Sequence, residues 1–153
     1  MGKYQRKTEM TDSNNKSDFD KMIDKIQNEV YEQERKVFSE RVIKEYNNPK
    51  NIGKMVQPDA FAALTGWCGD TMEIYLKMDH DMIEDISFMT DGCGATIACG
   101  SMLTSMVKGK SVKDAQAITD DDLVTALEGL PEENLHCAHL AIITLEKALE
   151  MLQ

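Results

Sequence analysis

Three cysteine segments carry the side chains best suited to chemistry: Cys68-Gly69-Asp70, Gly92-Cys93-Gly94 and His136-Cys137. Each sets a thiol beside a backbone-permissive glycine or a second metal-capable group. Together they can supply three sulfur ligands and an oxygen or nitrogen donor, which is metal chemistry rather than disulfide chemistry. In an extended chain Cys68 and Asp70 share a face, and Gly69 between them lets the backbone bend around an ion. Cys93 stands where a strand should give way to a helix, a place where N–H groups and the helix dipole lower a thiol's pKa. Cys137 likewise opens the last helix, with His136 beside it as a ligand, acid or base. Gaps of 25 and 44 residues match no compact zinc-ribbon or ferredoxin pattern, so only the fold can assemble such a site. Cys99, six residues after Cys93 on the same predicted helix, faces elsewhere and reads as a small core residue.

Other eye-catching residues have plainer readings. His80 falls in a polar turn, and His139 is turned away from Cys137 on its helix. Asp120-Asp121-Asp122 after Thr119 suits a helix N-terminus better than calcium. Met102 and Met106 read as core, and Lys108-Gly109-Lys110 lacks the glycine-rich loop of a nucleotide site.

The elements that must hold these segments follow from periodicity. The 153 residues suffice for one domain with a sizeable core. Residues 1–16 are polar and read as a mobile tail. After Ser17, a plausible N-cap, Phe19, Met22, Ile23, Ile26 and Val30 mark an amphipathic helix ending near Lys36 or Val37; its stripe is expected to pack on the domain, with docking or dimerisation the other reading. Ser39 caps a second helix that Asn48-Pro49 ends. A strand is expected over 61–66, and strict alternation from Met72 to Met78, then Ile83 to Met89, predicts a hairpin. Helices follow beyond Gly94, after Ser111, after Thr119, and from about Leu135 to Leu152. The expected fold is α+β: a small three-stranded antiparallel sheet with helices packed on one face, preceded by an N-terminal helical extension. The division is an extension over 1–37 and a domain over 38–153.

The net charge of −10 is uneven, +2 over residues 1–58 and −12 over 59–153. Such an acidic field repels phosphate backbones, so no nucleic-acid binding is expected, while metal cations or basic proteins are favoured. No segment is apolar enough to span a membrane, and the polar start does not read as a secretory signal; a cytoplasmic location, with reduced cysteines, is the expectation.

Taken in order, Phe38-Ser39-Glu40-Arg41-Val42-Ile43, Asn48-Pro49-Lys50-Asn51-Ile52-Gly53, Cys68-Gly69-Asp70-Thr71-Met72, Asp91-Gly92-Cys93-Gly94-Ala95, Lys108-Gly109-Lys110-Ser111 and Leu130 to Cys137 resemble the U-type iron-sulfur cluster scaffolds, IscU and the N-terminal domain of NifU. The resemblance runs over about residues 38–153. It implies a non-enzymatic scaffold that takes persulfide sulfur from a cysteine desulfurase, binds iron, builds a transient [2Fe-2S] cluster and passes it to apo-proteins, with a ferredoxin as electron donor. By match of motif, Cys68, Cys93 and Cys137 are the cluster ligands and Cys137 the persulfide acceptor. Asp70 is the labile fourth ligand or release group, His136 an alternative ligand, and zinc can enter the same pocket. Leu130-Pro131-Glu132-Glu133-Asn134 departs from the Leu-Pro-Pro-Val-Lys chaperone motif of the IscU branch, so use of an Hsp70 chaperone is not implied. Cys99 replaces a small residue, and nothing matches residues before Phe38. The competing readings of the same residues are a zinc-dependent or thiol enzyme acting in sulfur transfer, and a zinc-stabilised interaction module.

Overall fold

The computed structural model describes residues 16–152. The described residues fall into two compact units, 16–34 and 35–152. The predicted tail lies almost wholly outside the described residues. Helix α1, Asp18–Val37, starts in the first unit, and the Ser17 hydroxyl accepts the Asp20 N–H at its head. Acidic Asp18 and Asp20 in its first turn and basic Arg35 and Lys36 in its last complement the helix dipole.

In the second unit α2 spans Glu40–Asn47, capped by Ser39, whose hydroxyl accepts the Val42 N–H and donates to the Leu127 carbonyl. Three antiparallel strands follow in the order β1 (Ala60–Thr65), β2 (Thr71–Asp79), β3 (Met82–Thr90). Alternation buries Ala60, Ala62, Met72, Ile74, Leu76 and Phe88 on one face, as a half-covered sheet requires. Ile83 and Ile86 are three apart and should point to opposite faces. The register shifts between Lys77 and Met78, so that Lys77 faces Asp85 while Met78 faces Ile83; this bulge lets both isoleucines enter the core.

Helices α3 (Gly94–Val107) and α6 (Leu135–Glu150) cover the buried face of the sheet. Helix α3 is buried almost all round, which explains its run of small residues. At Gly100 a Cβ would stand 2.4 Å from the Phe88 ring, so only glycine permits this closeness of α3 to β3. Short helices α4 (Val112–Gln116) and α5 (Asp120–Ala126) precede α6; Ser111 and Thr119 cap them, Thr119 and Asp122 forming a complete capping box. The segment before β1 pairs with the free side of β3, where Phe88 N–H donates to Asn51 O and Gly53 N–H to Phe88 O. Buried Glu45 of α2 anchors this segment, accepting from the Ser101 hydroxyl, which in turn accepts the Lys50 N–H. The sheet, its antiparallel pairing and the helices on one face are as the alternation predicts.

Candidate metal centre

Three parts of the fold converge at one end of the sheet: the β1–β2 loop, the start of α3 and the start of α6. The loop is pinched by hydrogen bonds from Gly66 N–H to Asp70 O and from Gly69 N–H to Gly66 O, and Gly69 adopts φ of 92°, which a side chain would strain. Asp91 accepts the Thr71 N–H, and the Thr90 hydroxyl donates to Thr71 O, fastening the start of β2 to the end of β3. Cys93 is the N-cap of α3, and Cys137 lies in the first turn of α6.

A residue the spacing did not mark stands at the centre. The hydroxyl of Thr96 lies 3.2 Å from Asp70 Oδ2, 3.4 Å from Cys137 Sγ and 3.7 Å from Cys93 Sγ. It is fully buried, and Gly92 is packed so close that a Cβ there would meet Thr96 at 2.7 Å and Asp70 Oδ2 at 2.9 Å. His136 Nε2 is 3.6 Å from Cys137 Sγ, and the exposed Trp67 indole packs edge-on to the His136 ring at 5.2 Å. Asp70, Cys93, Cys137 and His136 are thus brought together. Cys68 lies on the same loop as Asp70 with its thiol exposed. Among the described residues no three histidine, cysteine or carboxylate side chains form a ready-made metal cage; a threonine hydroxyl stands among them instead. The signal for Thr96 was its position one helical turn after Cys93, visible only once Cys93 is known to cap α3.

The Cys93 and Cys137 thiols are set in opposite directions. Partial burial pushes Cys93 up, but the N–H groups of Thr96 and Ala95 and the Thr96 hydroxyl outweigh it and hold the thiol below its ordinary value. This is the helix N-terminal effect expected for Cys93. Cys137 differs: burial pushes its thiol above the ordinary value, with neighbouring Cys93 adding to the rise and the Thr96 hydroxyl opposing it. Cys99 is completely buried beneath the site and pushed up by desolvation, in keeping with its reading as a core residue. His80 and His139 lie elsewhere, their Nδ1 atoms on Asp79 and Asp120.

Residues 37–153 match the model of the NifU-like N terminal domain. The chain is 42% identical over 114 residues to the iron-sulfur cluster assembly scaffold protein IscU 1 of Archaeoglobus fulgidus, covering 74% of each chain. It is 43% identical over 109 residues to IscU of Escherichia coli K12, covering 68% of this chain and 84% of that one. In fold it is similar to the crystal structure of a NifU-like N-terminal protein from Brucella abortus, with a TM-score of 0.58 at 20% identity, over 74% of this chain and 92% of that one. The chain therefore belongs to the U-type iron-sulfur cluster scaffold family, with which its fold and its clustered thiols agree. Among the described residues no helix is long and apolar enough to cross a membrane.

Proposed function

We propose that this chain is a non-enzymatic scaffold on which a transient [2Fe-2S] cluster is assembled and from which it is handed to apo-proteins. The observation that carries the reading is the convergence of Asp70, Cys93 and Cys137, from three separate segments, on the Thr96 hydroxyl. Cys68, Cys93 and Cys137 supply thiolates to the cargo iron and Asp70 a carboxylate. A carboxylate binds cluster iron less tenaciously than a thiolate, which suits a site that must let go. His136 is the alternative ligand, and zinc is an alternative occupant of the same donors.

Sulfur enters on Cys137 from a cysteine desulfurase. The Cys137 sulfur attacks the outer sulfur of the donor's persulfide, that S–S bond breaks, and the donor cysteine leaves as thiolate while a new S–S bond forms on Cys137. Burial raises the Cys137 thiol, so its proton must be removed for the attack. His136 Nε2, 3.6 Å away, is placed to take it. Each delivered sulfane sulfur must then be reduced to sulfide. Ferrous iron oxidised on entering the cluster gives part of those electrons, and a reductant of the ferredoxin class supplies the remainder. The test is anaerobic incubation with ferrous iron, cysteine, a desulfurase and a reductant. The reading predicts visible sulfur-to-iron charge-transfer absorption on the protein, which is lost in Cys93→Ser. A colourless protein that holds only zinc contradicts it and favours the zinc-stabilised module.

A further inference from the structure

Helix α1 carries a feature that the metal centre does not use. Phe19, Ile23, Ile26, Val30 and Gln33 follow one another at alternating intervals of four and three residues, which places them along one seam of the helix. None of the helix is buried; Phe19 is 65% exposed, Ile26 49% and Val30 53%. Most helical stability in proteins comes from packing of such a face, and a 20-residue helix whose Phe19, Ile26 and Val30 are about half exposed or more, with Ile23 half-buried, is a marginal structure.

The charges bordering the stripe say what should cover it. Met22, Glu29 and Lys36 run along one side and Asp20, Gln27 and Glu34 along the other, while Lys21, Lys25 and Arg35 lie on the back of the helix. Lys36 is the one base among these bordering positions. A second copy is a poor occupant in either direction. Parallel pairing brings Glu29 against the second copy's Glu34 on both sides of the seam. Antiparallel pairing sets Asp20 against the second copy's Glu34, and Glu29 against its own counterpart. Like charges across such a seam disfavour self-association and select for a partner of opposite sign.

We infer that α1 is one strand of a heterotypic coiled coil, and that its partner is an amphipathic helix of another protein with lysine or arginine bordering its apolar stripe. Helix α1 shares no residue with the metal centre, so its role as a docking handle stands or falls independently of the cluster reading.

The test uses the full chain and two synthetic helices with identical leucine stripes, one bordered by lysine and one by glutamate, each followed by fluorescence anisotropy. The lysine-bordered helix should bind roughly tenfold or more tightly than its glutamate twin, and binding should weaken as salt is raised. Ile26→Asp combined with Val30→Asp should abolish binding while leaving the thermal midpoint of the cysteine-bearing domain unchanged. Equal binding of both helices, or binding of neither, overturns the inference. So does a loss of thermal stability in the double variant, which would mean that the chain itself covers the stripe. Sedimentation showing a dimer that the double variant dissolves would establish a second copy as the occupant, and would overturn it equally.

Discussion

The hydroxyl of Thr96 lies 3.4 Å from the sulfur of Cys137, and the same oxygen lies 3.2 Å from the Asp70 carboxylate, so one proton serves two groups that come from separate segments of the chain. It can serve only one of them at a time, and Thr96 has no exposed surface from which water could replace it. Thr96→Val keeps the shape and removes the donor. The metal-free domain should lose about 1 kcal/mol in urea denaturation, and Thr96→Ser should recover most of it. If valine and serine behave alike, the hydroxyl does not hold the site together.

The thiols should separate by pH. A depressed thiol is more ionised than free cysteine at a given pH, and a raised one less. Iodoacetamide should therefore modify exposed Cys93 along a pH curve displaced to lower pH than that of free cysteine. Cys137 should follow a curve displaced to higher pH, and Cys99 should react only on unfolding. Site-resolved mass spectrometry gives all these curves together. Cys137 reacting at lower pH than Cys93 would reverse the assignment.

Asp70 sits on a pinched loop and accepts from Thr96, which keeps its carboxylate beside the Cys93 and Cys137 thiols. Asp70→Ala should make an assembled cluster longer-lived and slower to leave, because the more easily lost donor is gone. The decay of visible absorption in the presence of chelator measures this; an unchanged or shorter lifetime would remove Asp70 from release.

Packing gives a prediction free of the chemistry. Gly100→Ala puts a Cβ within 2.4 Å of the Phe88 ring, at the contact of α3 with β3. Overpacking of this kind costs about 1–3 kcal/mol. Urea denaturation should show it as a lower midpoint with an unchanged slope.

Much of this fold was legible because each element declares its own period. Alternation from Met72 to Met78 gave β2, Thr119 with Asp122 gave the start of α5, and the break at Lys108 gave the end of α3. The first strand begins one residue earlier than expected, at Ala60. What stayed hidden was long-range. The pairing of Asn51 and Gly53 with Phe88 depends on backbone groups, which sequence does not distinguish. The bulge that turns both Ile83 and Ile86 inward breaks the period by which strands are read. At the site, Cys93 could be placed at a helix start from the glycines around it. The depth of Cys137 could not, because its burial is set by what packs over the first turn of α6 rather than by its neighbours in sequence. Thr96 escaped for a related reason: a threonine beside a cysteine is unremarkable until three segments close around it.

Convergent thiols of the proposed kind hold a cluster in order to give it away. The most direct test of this role is to load the full chain anaerobically with iron and desulfurase-derived sulfur, add an apo-ferredoxin, and follow the cluster by circular dichroism in the visible range. The scaffold's signal should fall as the ferredoxin's rises at matching stoichiometry, and Cys68→Ser, Cys93→Ser and Cys137→Ser should each prevent it. A cluster that stays on the chain while the ferredoxin remains apo would rule out a scaffold role.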